Sequence, residues 1–382
     1  MTQIFDKYDE NVLNRMIASI SEFLRKGFSK NAVVDKFKLP DEITDELIDI
    51  ARTRIKAKEK FSKPEKMFLN SDDLRWATPE IVSDYRAKRL KCKTIADLGC
   101  GIGGQAIYFA KYCKKVIAVE IDKRKIEYAK RNAASFNIKN IEFIHGDIFD
   151  EKVIEKVKEA DILFCDPYRT ESEEERKVEQ TAIPRLLSLH ENRRIACEAP
   201  PQLTPEKINY NCEREYVSIN GALNRLTLYF GDLKQCERSA VALPIVSRLE
   251  NGKKRELKKS DAMKYLHEID GAVVKADLVG ELAYKIAKDI FFYDKTKKMY
   301  LLTSDHIIKS DFLKTCKVIS KTANKDDEII NALKEANAKE VLLRGSINPN
   351  DYWMLRKKYE NLLNGKKKAI LFLFDKEAII CE

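Results

Sequence analysis

The chain has 382 residues, 71 Lys+Arg against 61 Asp+Glu, and a formal net charge of +10. With 44% hydrophobic and 35% charged residues it is neither a disordered nor a collagen-like chain, and no apolar run approaches the ~20 residues that span a bilayer. Nine cysteines without a C-x-x-C pair, and four well-separated histidines, argue against a zinc knuckle, a disulfide framework or another metal site.

The amino-terminal residues MTQIFDKYDENVLNRM carry acids and lack a basic-then-apolar leader, so a soluble cytoplasmic protein is expected. From residue 1 to 66 the pattern is helical. Val12, Met16, Ile20, Phe23 and Leu24 recur at the spacing of one helix face; Leu39-Pro40-Asp41-Glu42 interrupts it, and Ile43, Leu47, Ile50 and Ala51 resume it. Residues 52–60 read as a charged helical tail that Pro64 ends. Thr78-Pro79-Glu80 then predicts a helix start, with a capping hydroxyl on Thr78 and Pro79 at the first helical position.

Short apolar strands now alternate with amphipathic helices. The expected strands are 94–98, 116–119, 141–144, 161–165, 194–198, 215–219 and 226–230. Such alternation indicates parallel βαβ units. The last two are joined by Asn220-Gly221-Ala222-Leu223-Asn224, which has no room for a crossover helix, so a terminal antiparallel hairpin is expected. Beyond Asp232 strands are expected at 240–246, 299–302, 341–344 and 369–374, and helices at 273–288, 326–338 and 351–363. Residues 251–260 form a basic loop. The expected organisation is a helical domain over 1–70, a doubly wound α/β domain over 71–233, and a further α/β domain over 234–382.

The strongest local signal is Ala96-Asp97-Leu98-Gly99-Cys100-Gly101-Ile102-Gly103-Gly104. Its glycines let backbone amides approach a ligand, and the helix that follows offers its amino end to a polar group. Gly99, Gly101 and Gly104 also satisfy the dinucleotide pattern G-x-G-x-x-G, so glycine spacing alone leaves the cofactor open. Glu120 stands 21 positions after Gly99, at the tip of the next strand, where an acid holds ribose hydroxyls.

With Asp97 two residues before Gly99, the fuller pattern D-x-G-x-G-x-G resembles motif I of the class I S-adenosylmethionine-dependent methyltransferases. The resemblance implies S-adenosyl-L-methionine as cofactor. It assigns donor binding to Asp97, Gly99, Gly101, Gly103, Glu120 with Ile121, and Asp147 with Ile148, Asp147 accepting from the adenine amino group. Phe164-Cys165-Asp166-Pro167-Tyr168-Arg169 resembles the D-P-P-[YFW] motif of enzymes that methylate exocyclic amines of nucleobases. Asp166, Pro167 and Tyr168 are thereby assigned to catalysis. The chain departs from that motif: Tyr168 replaces the second proline and Arg169 stands where the aromatic belongs, so Arg169 is read as a substrate contact, to a phosphate or the base. The run 171–176 reads as a solvated acidic loop.

The stretch from Trp76 to Phe230 resembles the methyltransferase group that includes cap trimethylguanosine synthase, an RNA guanine-N2 enzyme. The segment from Lys264 to Leu278 (KYLHEIDGAVVKADL) resembles the start of a THUMP-like domain, and THUMP domains proper belong to RNA-modifying enzymes. Together these imply transfer to an exocyclic base amine of tRNA or rRNA, with guanine N2 the best guess. Alternatives are an RNA-binding or assembly factor that keeps the donor fold with little catalysis, and a protein or small-molecule methyltransferase. Trp76 is a base-stacking candidate beside a reading as a core or hinge residue. Residues 251–260 and 366–368, with Arg193 and Arg194, are candidate phosphate contacts, with solvated surface the simpler reading of each.

Overall fold

Asp9 opens the first helix by accepting from the backbone N–H groups of Asn11 at 2.8 Å and Val12 at 3.1 Å. The computed structural model describes residues 8–167, 178, 181–191, 193–296, 299–345, 347–348 and 350–382. That helix, α1 (Glu10–Arg25), is followed by α2 (Lys30–Phe37) and α3 (Asp41–Lys56). The fully buried stripe of α1 is Leu13, Ile17 and Ile20, one position on from the expected Val12 and Met16. Both stripes satisfy the same spacing; packing against Ile43, Leu47 and Ile50 selects one. The charged tail expected at 52–60 is helical through Lys56 and is also partly buried, at Thr53, Arg54 and Ala57. Arg54 is buried and donates from Nε to the Met67 carbonyl and from Nη2 to Asn14 Oδ1, both at 2.7 Å.

Two further helices, α4 (Ser71–Trp76) and α5 (Glu80–Arg89), lead into the sheet. Pro79 is the N-cap of α5 and no side chain caps it, contrary to the cap expected from Thr78; the Glu80 N–H instead reaches the Lys60 carbonyl at 2.9 Å. Strands and helices then alternate: β1 (Thr94–Leu98), α6 (Gly104–Tyr112), β2 (Lys115–Glu120), α7 (Lys123–Ser135), β3 (Ile141–His145), α8 (Glu151–Val157), β4 (Ile162–Cys165), α9 (Ile183–Leu189) and β5 (Ile195–Ala199). The five strands are parallel in the order β3-β2-β1-β4-β5. The chain therefore reverses its direction of travel across the sheet at β1, and the carboxyl ends of β1 and β4 flank the switch point where ligands of such sheets bind.

The pair β6 (Glu213–Ile219) and β7 (Ala222–Tyr229) does not end the ladder as expected. Strand β6 also pairs in parallel with β8 (Arg238–Leu243), which pairs antiparallel with β9 (Ser247–Glu250). The return along β7 is what lets β6 and β8 run the same way. The chain forms two compact units: Met1–Pro200 with Tyr210–Cys212 and Thr227–Gln235, and Pro201–Asn209 with Glu213–Leu226 and Cys236–Glu382.

The second unit contains β10 (Tyr265–Ile269), α10 (Gly271–Lys275), α11 (Val279–Lys285), β11 (Phe291–Lys295), β12 (Tyr300–Ser304), β13 (Leu313–Ala323), α12 (Asp326–Glu335), β14 (Ala338–Gly345), α13 (Tyr352–Glu360), β15 (Lys367–Leu373) and β16 (Glu377–Cys381). Its seven-stranded sheet runs β11-β12-β10-β13-β16-β15-β14, antiparallel except for β14 with β15. The helix expected over 273–288 is two short ones, because Asp277 turns left-handed (φ 55°) and the Leu278 N–H returns to the Val273 carbonyl at 3.0 Å. The run 369–374 is not the last strand: β16 turns back along it, invisible to periodicity because Ala378-Ile379-Ile380-Cys381 is apolar throughout.

Two basic candidates prove structural. Arg255 donates to the Ala283 carbonyl at 2.7 Å and to the Ala287 carbonyl at the end of α11. Arg193 reaches the Lys158 carbonyl at 3.1 Å, while Arg194 pairs with Asp232 at 2.8 Å. A guanidinium spent on carbonyls is a brace rather than a phosphate contact. Among the described residues, no helix is long and apolar enough to cross a membrane.

Candidate active site

The glycine loop leaves β1 through three left-handed residues, Gly99 (φ 84°), Gly101 (φ 54°) and Gly103 (φ 80°). Two of them are also sterically tight. A Cβ on Gly99 would meet the Asp166 carbonyl at 3.2 Å, and one on Gly103 would meet Ala129 Cβ at 3.1 Å. The loop is thus pressed between the end of β4 and the face of α7. Beside Gly101 and Gly104, by contrast, an added methyl would meet nothing within 4 Å.

Three acids converge here. Asp97 is fully buried at the end of β1, and its Oδ2 has no hydrogen-bond partner among the described residues. Burial first, and the carboxylates of Asp166 and Glu120 next, push its pKa up to about 8, against the opposing pull of Arg86. Glu120, also buried, bridges the loop to its own strand end: Oε2 accepts from the Gly101 N–H at 2.8 Å and Oε1 from the Asp122 N–H at 2.9 Å. Asp166 sits half-buried as the chain leaves β4. At the tip of β3, Asp147 accepts from the Phe149 N–H at 2.9 Å. Its neighbour His145 donates from Nε2 to the Ile121 carbonyl at 3.0 Å, tying the two strand ends together. The Ile121 side chain is 65% exposed and Ile148 is half-buried. Tyr168, Arg169 and the acidic run 171–176 lie outside the described residues.

Four other residues brace the surroundings of the site, and their roles depend on distant parts of the chain. Asn132 of α7 is wholly buried; it donates to the Ile102 carbonyl at 2.9 Å and the Phe68 carbonyl at 3.0 Å, and accepts from the Phe68 N–H at 2.6 Å. It therefore clamps the glycine loop to the segment before α4. Arg86 of α5 lies against Phe164 of β4, bonded to Gln105 at 2.8 Å and paired with buried Glu198. Lys60 donates to the carbonyls of Leu74 (2.8 Å), Arg75 (3.0 Å) and Ala77 (2.9 Å) at the end of α4. Arg124 of α7 holds Asp73 of α4 at 3.1 Å, so Trp76, partly exposed, is carried on a helix fixed to the amino end of α7. The available signal for Asn132 and Arg86 is a polar residue on an apolar helix face, Ile126, Ala129 and Ala133 in one case and Val82 and Ala87 in the other.

Asn132→Ala would leave three buried backbone groups without this partner, and is expected to cost about 2–4 kcal/mol and to weaken donor binding through a looser loop. Urea unfolding together with donor titration checks this; unchanged donor affinity would confine Asn132 to stability.

Comparison with known proteins decides what the loop belongs to. Residues 92–170 match the family model described as RNA cap guanine-N2 methyltransferase. Over its whole length the fold is similar to the crystal structure of a methyltransferase from Porphyromonas gingivalis (TM-score 0.73, 14% identity, covering 98% of each chain). The chain carries a class I S-adenosylmethionine-dependent methyltransferase domain. An RNA methyltransferase of Clostridium tetani is 41% identical over 90 residues, which are 23% of this chain and 19% of that one. A cobalt-precorrin-6B C(15)-methyltransferase of Methanocaldococcus jannaschii is 35% identical over 97 residues, 24% of this chain and 53% of that one. The chain thus spans between a fifth and about half of these curated relatives.

The residues of this methyltransferase domain fit its methyl donor. A buried carboxylate oxygen without a partner suits the cationic amino end of S-adenosylmethionine, and the open space beside Gly101 and Gly104 lets backbone approach it. The raised pKa of Asp97 has a consequence for stability. The folded protein holds this proton up to about pH 8, whereas the unfolded chain releases it near its ordinary value of 3.8. The resulting stabilisation is complete below that ordinary value and is lost as pH rises to about 8. Without donor, the protein is expected to lose stability relative to Asp97→Asn by about 1.4 kcal/mol per pH unit across that window. Unfolding both proteins at several pH values checks it, and a gap that does not change with pH would contradict the assignment.

Proposed function

We propose that the protein is an RNA methyltransferase that modifies an exocyclic base amine, with guanine N2 of tRNA or rRNA as the acceptor. The observation that carries this is the placement of Asp166-Pro167: it leaves β4 with the Asp166 carbonyl pressed against Gly99 of the donor loop. The matched guanine-N2 family model supports that acceptor, and the Clostridium tetani relative supports RNA as the substrate class. S-adenosylmethionine supplies an electrophilic methyl group. The chain's own work is positioning. An aryl amine is a weak nucleophile because its lone pair is delocalised into the ring. The Asp166 carboxylate and the Pro167 carbonyl accept its two N–H bonds and aim the lone pair at the donor. Asp166 also offsets the positive charge that develops on nitrogen. Tyr168 flanks the base and Arg169 meets a phosphate or the base itself. In this reading the donor is held by Asp97, Gly99, Gly101, Gly103, Glu120, Ile121, Asp147 and Ile148, and residues 234–382 are a THUMP-like module that engages RNA.

A second reading, a small-molecule methyltransferase, is favoured by the precorrin-type relative, of which the match covers more than half. The deciding experiment compares nucleosides, by mass spectrometry, from cells with and without the protein. Loss of one N2-methylated guanosine supports the proposal. An unchanged nucleoside profile, with transfer to a small molecule in vitro, would replace it.

A further inference from the structure

Strand β13 serves both halves of the sheet in the second unit. Its first residues pair with β10 and its last with β16, and a bulge between Val318 and Ser320 bends the strand between them. Glu268 of β10 lies close to Arg344 of β14, although three strands separate them in the ladder. Beside that pair the surface sinks into a hollow of about 340 Å³ lined by Glu268, Met299, Leu343, Arg344, Tyr352 and Trp353, among others. Its volume is at the small end of the ~300–1,000 Å³ range of ligand sites.

Four features of the hollow specify a ligand. Trp353 is 62% exposed, leaving much of a large apolar indole open to solvent. Tyr352 meets it edge-on, ring centres 5.5 Å apart, and the Arg356 guanidinium lies 5.4 Å from the indole. The base of the hollow includes buried, apolar Met299 and Leu343. On one wall Arg344 and Glu268 stand 3.6 Å apart, too far for a hydrogen bond between them, so a donor fork and a carboxylate acceptor are both presented. A flat ring with a mixed donor and acceptor edge satisfies all four. An apolar peptide segment would leave the Arg344–Glu268 pair covered and unmatched.

We infer that this hollow binds an unpaired nucleobase of RNA, stacked on Trp353 with its edge toward Arg344 and Glu268. The ring must be unstacked from its neighbours to enter, so single strands or loops are recognised and duplex is not. The site rests on the reading of RNA as substrate and adds a second contact to it. Basic side chains at residues 366–368 do not extend it: the β14–β15 register places Lys367 opposite Ala338, at the other end of β14 from Arg344.

The chain has two tryptophans, Trp76 and Trp353, so a Trp76→Phe variant reports on the hollow alone. Titration with a short single-stranded RNA is expected to quench Trp353 emission, while the blunt duplex of the same sequence does not. Trp353→Ala should weaken single-strand affinity about tenfold and Trp353→Phe should retain most of it. RNA binding with unchanged emission and an unaffected Trp353→Ala variant would overturn the site while leaving the RNA reading intact. Quenching by a free mononucleotide as strong as by RNA would reassign the hollow to a small molecule. Absence of both RNA binding and methyl transfer to RNA would remove the site and the reading together.

Discussion

Asp166→Ala is expected to reduce methyl transfer by a hundred- to a thousandfold, on the order of the loss seen when one charge-stabilising group leaves an active site. Donor affinity should persist, because the donor loop is built by other residues: Gly101 is held by Glu120, and Ile102 by Asn132. The same substitution carries an independent signature. After burial, the charge of the Asp166 carboxylate does most to raise the Asp97 pKa, so its removal should narrow the pH range over which stability is lost. Transfer assays with labelled donor, calorimetric donor titration and unfolding at two pH values separate these effects. A variant with full turnover would remove Asp166 from catalysis.

The largest expected change in stability belongs to Arg86. Its side chain and that of Glu198 are 2% and 0% exposed, and the pair is joined to Gln105 at 2.8 Å and stacked at 4.8 Å on Phe164. Arg86→Leu leaves a buried carboxylate without its cation, a loss of about 3–5 kcal/mol. The double substitution Arg86→Leu with Glu198→Leu should regain most of this, because what costs is the uncompensated charge rather than the absence of the pair. Urea unfolding followed by Trp76 emission, in a Trp353→Phe background, reads the first unit specifically. If the double variant were no more stable than Arg86→Leu, packing rather than charge would explain the site.

Much of the candidate site is local in origin, and its residues stand out in the sequence for that reason. The glycine run, Glu120 and Asp147 stand at successive strand ends, and the alternation of buried strands and helices fixes which ends those are. The acids at those ends share one crevice because parallel strands all point their carboxyl ends the same way. The expected α/β class with its helical entry follows from the same periodicities. Other features depend on residues far apart in sequence. Asn132 reaches Phe68 across 64 positions, and Arg86 reaches Thr227 across 141. Nothing in the local pattern of either helix names its partner.

The basic residues teach the complementary lesson. Arg54, Arg193 and Arg255 look like solvated or phosphate-seeking charges in the sequence, yet their guanidinium groups are occupied by carbonyls. The net charge of +10 therefore overstates what is available to a polyanion. By itself the sequence determined the glycine loop and the acids at the neighbouring strand ends, because backbone conformation and strand direction are set by short-range residue types. Only the tertiary structure decided which buried polar groups brace that loop, which cations are occupied, and where Trp353 lies beside Arg344 and Glu268, because those depend on contacts closed over long stretches of chain.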